Sequence, residues 1–162
     1  MGLDIKKLLK ELTLEEKAKI LTGYKNMQNH PVERLNVPSL VLSDGPLGIR
    51  KENDKGNSLN GISNTLPATC FPSPVCMAST WNKDLLYKIG KGIGKECNYY
   101  KVDALLGPAV NIKRNPRCGR NFEYYSEDPL ISGIMGSEFV KGVQSENVAA
   151  TPKHFACNNN EK

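Results

Sequence analysis

Ala104-Leu105-Leu106-Gly107-Pro108-Ala109-Val110 is an apolar run of strand length. A loop rich in Arg, Asn and Tyr follows it. Asp128-Pro129 then supplies an N-cap with proline at the first helical position. From there Leu130, Ile134, Met135, Phe139 and Val143 recur at helical spacing as far as Gln144, and Val148-Ala149-Ala150-Thr151 reads as a further strand. Strand, helix, strand in this order is a parallel βαβ unit.

The same alternation extends upstream. Pro38-Ser39-Leu40-Val41-Leu42-Ser43 reads as a buried strand broken by Asp44-Gly45-Pro46. Phe71–Ser79 is a weaker expected strand, interrupted by Pro72 and Pro74. Asn82 caps a helix carrying Leu85, Leu86, Ile89, Ile93 and Cys97 on one face. At the N-terminus, Leu3, Leu8, Leu9 and Leu12 fall on one side of a short helix. Thr13-x-x-Glu16 is a capping box that opens a second, lined by Leu14, Ala18 and Leu21 and stopped by Gly23. Residues 24–38 are a loop, and the polar, Asn- and Gly-rich stretch 51–66 is a long surface loop. The expected fold is α/β: about four βα units, parallel strands with helices outside.

Composition narrows the function. The chain has 162 residues, about one domain, with 39% hydrophobic and 24% charged residues, which excludes disordered, collagen-like and coiled-coil chains. Its net charge of +5 is spread over scattered lysines, so no nucleic-acid partner is expected. Cys70, Cys76, Cys97, Cys118 and Cys157 are odd in number and lack C-x-x-C spacing, which points to free thiols in a reducing compartment. The N-terminal residues lack a signal-peptide core, the myristoylation pattern fails at position 6, and no segment reads as a membrane span. The expectation is a cytoplasmic chain with no membrane partner.

The polar residues gather at one kind of place. Asp44 and Arg50 follow the first strand, Asn111, Lys113, Arg114 and Arg120 follow the Ala104–Val110 run, and Lys153 and His154 follow the last strand. The C-terminal ends of parallel strands face one side, where ligands bind. One carboxylate among Arg, Lys and His donors suits a neutral, hydroxyl-rich ligand. Each feature has a plainer reading. Asp44-Gly45-Pro46 alone is a turn, and Lys153-His154 alone is a surface pair or a satisfied core histidine. Arg114, Arg117 and Arg120 with Tyr124 and Tyr125 form a basic–aromatic patch, but Glu123, Glu127 and Asp128 break it up. Gly90-Lys91-Gly92-Ile93-Gly94 lacks the G-x-G-x-x-G spacing and lies within a helix, so close helix–sheet packing explains it better than a dinucleotide site.

Four of these stretches carry a resemblance to glycoside hydrolase family 3, the β-glucosidase family. They are Leu42-Ser43-Asp44-Gly45-Pro46-Leu47-Gly48-Ile49-Arg50, Leu106-Gly107-Pro108-Ala109-Val110-Asn111-Ile112-Lys113-Arg114, Gly119-Arg120-Asn121-Phe122-Glu123-Tyr124-Tyr125-Ser126-Glu127-Asp128-Pro129, and Lys153-His154-Phe155 with its Asn-rich turn Asn158-Asn159-Asn160-Glu161. Leu14-Glu15-Glu16-Lys17 resembles the family's N-terminal helix. The resemblance implies the first half of a (β/α)8 TIM barrel, with no second domain present. It implies that Asp44 binds the two outermost hydroxyls of the sugar in the −1 subsite. Arg50 and Arg120 would hold that pocket, and Lys153 and His154 would donate to hydroxyls nearer the anomeric carbon. The expected partner is a β-glucoside or related oligosaccharide.

Retaining glycosidases need two carboxyl groups roughly 5–5.5 Å apart. The family's nucleophile stands in a Ser-Asp-Trp-type motif. Here the one tryptophan, Trp81, follows Thr80, and Ser43-Asp44 is followed by Gly45. The family's acid/base is usually in a second domain. The expectation is therefore a fragment of a retaining β-glucosidase-type hydrolase. It would be inactive alone, lack the C-terminal half of the enzyme, be prone to self-association, and need no cofactor or metal. The alternative is a non-catalytic sugar-binding or vestigial module.

Overall fold

A computed structural model of the chain describes residues 4–25, 27–53 and 65–161. The chain divides into two compact units, Met1–Leu42 and Ser43–Lys162.

The first unit holds helices α1 (Ile5–Glu11) and α2 (Leu14–Ile20). Asp4 caps α1 by accepting from the Lys7 amide at 3.1 Å. The Thr13–Glu16 capping box forms as expected: the Thr13 hydroxyl accepts from the Glu16 amide at 3.2 Å, and the Glu16 carboxylate accepts from the Thr13 amide at 2.9 Å. Arg34 then fastens both helices, donating to the Glu16 carboxylate and to the Glu11 carbonyl. Neither helix buries a residue, and Leu9, Leu14 and Leu21 are exposed. One expectation fails here: Gly23 does not stop α2, which closes three residues earlier with Leu21 as its C-cap. Leu3 lies outside the described residues.

The second unit carries the sheet. Strand β1 (Leu42–Asp44) begins on the last residue of the first unit and leads into it, followed by β2 (Ala104–Leu106) and β3 (Ala149–Ala150), in the order β1-β2-β3. β2 and β3 pair in parallel, Ala104 with Ala149 and Leu105 with Ala150. The strands are shorter than the apolar runs that predict them. β2 leaves the regular ladder at Gly107-Pro108, within the apolar run, and pairs with the chain after β3 again at Ala109 and Lys153.

Phe71–Ser79 is not a strand. Residues 74–79 form helix α3 (Pro74–Ser79). Ser73 is its N-cap, accepting from the Cys76 amide at 3.3 Å, and Pro74 takes the first helical turn, where its missing N–H costs nothing. The described residues therefore contain three strands rather than four. Most of the expected 51–66 loop, residues 54–64, lies outside the described residues.

Helices α4 (Lys83–Tyr99) and α5 (Pro129–Gln144) form the body of the unit. Ile93, Cys97, Leu105, Phe139 and Val143 are fully buried in its main core cluster. Burying a side chain such as Phe139 stabilises by about 1.5–3 kcal/mol. The α4 glycines explain the closeness of this contact, but not in the expected way. A Cβ at Gly90 would stand 2.3 Å from the Phe139 carbonyl oxygen, and one at Gly142 would stand 2.2 Å from that of Tyr87. The glycines let helix approach helix, not helix approach sheet. All five cysteines are free thiols, and Cys97 and Cys118 are buried. Burial, with the Glu96 charge adding to it, pushes the Cys97 thiol up to about 11. No helix among the described residues is long and apolar enough to cross a membrane.

Candidate functional site

Asp44 is the last residue of β1. The chain turns sharply after it: Gly45 has φ 128°, and a Cβ there would fall 1.8 Å from the Gly48 carbonyl oxygen, so only glycine fits. The turn returns Arg50, whose amide donates to the Asp44 carbonyl at 2.9 Å. On the β3 side the chain stays beside β2 after the strand ends. The Lys153 amide donates to the Pro108 carbonyl at 2.9 Å, and the Val110 amide to the Lys153 carbonyl at 2.8 Å. These bonds bring Lys153 and His154 to the end of β1 and to the loop that bears Arg120.

The side chains then form one ionic network. Lys153 Nζ lies 2.7 Å from Asp44 Oδ1 and 3.3 Å from Glu123 Oε2. Arg50 reaches the second Asp44 oxygen at 3.4 Å. Arg120 Nε donates to Glu123, and its Nη1 is 3.7 Å from Glu161. Glu123 is buried. Three cations thus face three carboxylates, which is how buried charge is made tolerable. Asp44, Pro46, Arg50, Arg120, Phe122 and Glu123 line a cavity of about 380 Å³, a size that suits a small ligand.

His154 is held at both ring nitrogens. Arg120 Nη2 is 2.8 Å from Nε2, and the Tyr124 hydroxyl is 3.0 Å from Nδ1. A guanidinium only donates, so Nε2 accepts, and the proton of the neutral ring is on Nδ1, directed at the Tyr124 oxygen. Asn158 also donates to that oxygen, at 3.1 Å. Burial, with the Arg120 and Lys153 charges, pulls the His154 imidazole below its ordinary range, so it is neutral near pH 7. For Asp44 the largest effect is burial, which pushes the carboxyl up. The hydrogen bond and charge of Lys153, with the Gly45 amide and Arg50, outweigh it and hold the group below the usual carboxylate range.

Asp44, Arg50, Arg120, Lys153 and His154 all enter this network. Lys113 does not: it lines a separate cavity with Trp81, Glu127 and Asp128, where burial lowers its ammonium. Arg114 is exposed, and Asn111 turns to the His154 backbone. Glu123, Tyr124, Asn158 and Glu161 are site residues that sequence reasoning missed. The Arg120–Glu123 spacing of three was the one local signal for any of them.

Residues 26–161 match the profile of the Glycosyl hydrolase family 3 N terminal domain. The chain belongs to glycosyl hydrolase family 3. It is 48% identical over 161 residues to thermostable beta-glucosidase B of Acetivibrio thermocellus, covering 99% of this chain and 21% of that protein. It is 44% identical over 153 residues to an exo-alpha-(1->6)-L-arabinopyranosidase of Bifidobacterium longum, covering 94% of this chain and 20% of that one. The structure of beta-glucosidase 3B from Thermotoga neapolitana in complex with alpha-D-glucose superposes with a TM-score of 0.84 at 45% identity, over 98% of this chain and 24% of that one. The family 3 chain therefore has the α/β fold of part of a (β/α)8 barrel, and it spans about a fifth of the length of the curated relatives it matches.

Proposed function

We propose that this chain supplies the −1 sugar-binding subsite of a retaining β-glucosidase-type hydrolase. The observation that carries the reading is Asp44, kept ionised by Lys153 and Arg50 at the wall of the 380 Å³ cavity. An ionised carboxylate has only acceptor capacity, and it can accept hydrogen bonds from two adjacent hydroxyls at once. Arg50 and Arg120 line the same space and donate to the remaining oxygens, and Lys153 is bonded to Asp44 and Glu123 on its wall. In its Nδ1–H form His154 accepts from Arg120 and so orients that donor; donation to a sugar from Nε2 would require release of Arg120 and the other tautomer, with Nδ1 then accepting from the Tyr124 hydroxyl.

Hydrolysis with retention needs one carboxyl as nucleophile and a second that starts protonated. Asp44 and Glu123 are each bonded to cations, which suits binding and not proton donation. The reacting carboxyls are accordingly assigned to parts of the enzyme other than these 162 residues, and this chain by itself is expected to bind sugar without cleaving it. The relatives named as β-glucosidases favour glucose, and the arabinopyranosidase widens the range to a pentopyranose. The free thiols suit a reducing compartment such as the cytoplasm. The exposed edges of a short sheet favour self-association at high concentration.

The test is titration of the chain with glucose, gluconolactone and L-arabinose, read through the Asp44 carboxyl carbon by NMR, beside an assay on an aryl β-glucoside. Glucose is expected to shift Asp44 in the millimolar range, with no hydrolysis, and Asp44→Asn to abolish saturation. Absence of saturation by every sugar would remove the reading. Turnover of the glucoside would overturn the division of labour.

A further inference from the structure

We propose that Asn111 is a positioning residue: its side-chain amide continues the β2–β3 ladder beyond the strands and so places Lys153 and His154 against the residues that line the pocket. The importance of that placement rests on the sugar-site reading above.

The ladder shows why such a group is needed. β2 and β3 pair at Ala104↔Ala149 and Leu105↔Ala150, and pairing resumes at Ala109↔Lys153, with one residue more on the β2 side. Leu106-Gly107-Pro108 takes up that extra residue, and Pro108 has no N–H to offer. The last backbone bond is Val110 N–H to the Lys153 carbonyl, at 2.8 Å. Beyond it the two backbones no longer pair, yet the next residue on each side is Asn111 and His154.

There a side chain takes over. The His154 amide donates to Asn111 Oδ1 at 2.6 Å, and Asn111 Nδ2 donates to the His154 carbonyl at 3.1 Å. A carboxamide carries the same C=O and N–H groups as a peptide unit, so it can make both bonds that a paired strand residue would make. Asn111 is 8% exposed, so neither bond is lost to solvent. One bond fixes the Lys153–His154 peptide that joins the two functional residues, and the other fixes the peptide after His154, so the His154 backbone is held on both sides. From there Lys153 reaches Asp44 and Glu123, and the His154 ring reaches Arg120 and Tyr124. Asn111 is not among the residues that line the cavity, and its effect on a ligand passes through Lys153 and His154.

Hydrogen exchange and His154 ring ¹⁵N shifts would be measured on the unliganded chain, on Asn111→Ala and Asn111→Asp, and on Val143→Ala as a core control. In the parent, the His154 amide should be protected together with those of Thr151 and Lys153. In Asn111→Ala it should exchange about tenfold faster or more relative to Phe139, and the ring should leave the pure Nδ1–H pattern. Asn111→Asp keeps the acceptor for the His154 amide but loses the donor to its carbonyl, so it should fall between. Val143→Ala should move neither relative readout. The proposal is overturned if the parent His154 amide exchanges like an open loop, if Asn111→Ala keeps both the protection and the ring pattern, or if Val143→Ala disturbs them equally. Should Asn111→Ala fail to fold, the parent and Asn111→Asp decide. None of these readouts needs sugar. A parent chain blind to glucose would defeat the subsite reading and leave the clamp standing. Unchanged ring patterns in a chain that binds glucose would do the reverse.

Discussion

The α4–α5 contact and the strand-end network sit in the same unit and are built on opposite principles. The helices meet through glycine and apolar side chains, close enough that backbone touches backbone. The network is almost all charge, carried on loops that leave strands of three, three and two residues. Ladders that short give little stability, and desolvated ion pairs give little more. The helix pair therefore holds the unit together. The polar loops are free to be arranged for a ligand and not for stability, the division expected where function sits.

The strongest way to break that contrast is Gly142→Val. Its Cβ would stand 2.2 Å from a backbone oxygen and 2.8 Å from the Lys91 nitrogen, neither of which a flexible side chain can relieve. The expected loss is upwards of about 4 kcal/mol, read from the urea midpoint. A loss under about 1 kcal/mol would mean the helices do not carry the unit. Glu123→Gln comes next. It keeps the shape but strips the charge from a side chain that is 3% exposed and faces both Arg120 and Lys153. Asp44 and Glu161 still balance those cations, so the expected cost is about 3 kcal/mol, the low end for breaking a buried pair. A neutral result would show the network to be solvated.

Acidification separates the two regions further. His154 has a folded pKa below its unfolded value of about 6.5, so the unfolded state takes up the proton first as pH falls. Its contribution is complete above that value and is lost as pH drops toward the folded one. Asp44, also depressed, behaves the same way below about 4. Urea midpoints should therefore fall between pH 7.5 and 5.5, and His154→Gln should flatten the slope. An equal slope in the variant would place the titrating group elsewhere.

The sequence was most legible where the determinants are local. Asp128-Pro129 carries its own cap, and α5 starts at Pro129 and ends at Gln144, as the spacing predicts. The same device at Ser73-Pro74 was read as an interrupted strand, because two prolines in an apolar run look like strand damage until the serine beside the second is seen to cap a helix. At the site, the ends of parallel strands point to Asp44, Arg50, Arg120, Lys153 and His154 but equally to Asn111, Lys113 and Arg114; the family resemblance singles out the first five, which the fold brings into one network. Tyr124 and Asn158 were not found, since their roles depend on His154 and on each other, brought together only by folding. Glu123 interrupts a basic patch, and its spacing of three from Arg120 is the one local sign of the pair they form. Its burial against Lys153, thirty residues on, has no signature in the chain.

The smallest effect tests the helix side of the contrast from within a single helix. Gly133 lies in α5, as Gly142 does, but a Cβ built on it meets nothing within 4 Å. Gly142 is glycine because α4 leaves no room, whereas no contact requires glycine at Gly133. Alanine there loses less backbone entropy on folding and exposes less backbone to water, so Gly133→Ala should stabilise by about 0.4–1 kcal/mol. Substituting one residue type at two positions of one helix should therefore give effects of opposite sign. If Gly133→Ala also destabilises, something covers that position in solution, and the reading of Gly133 as a residue in open space would have to be replaced.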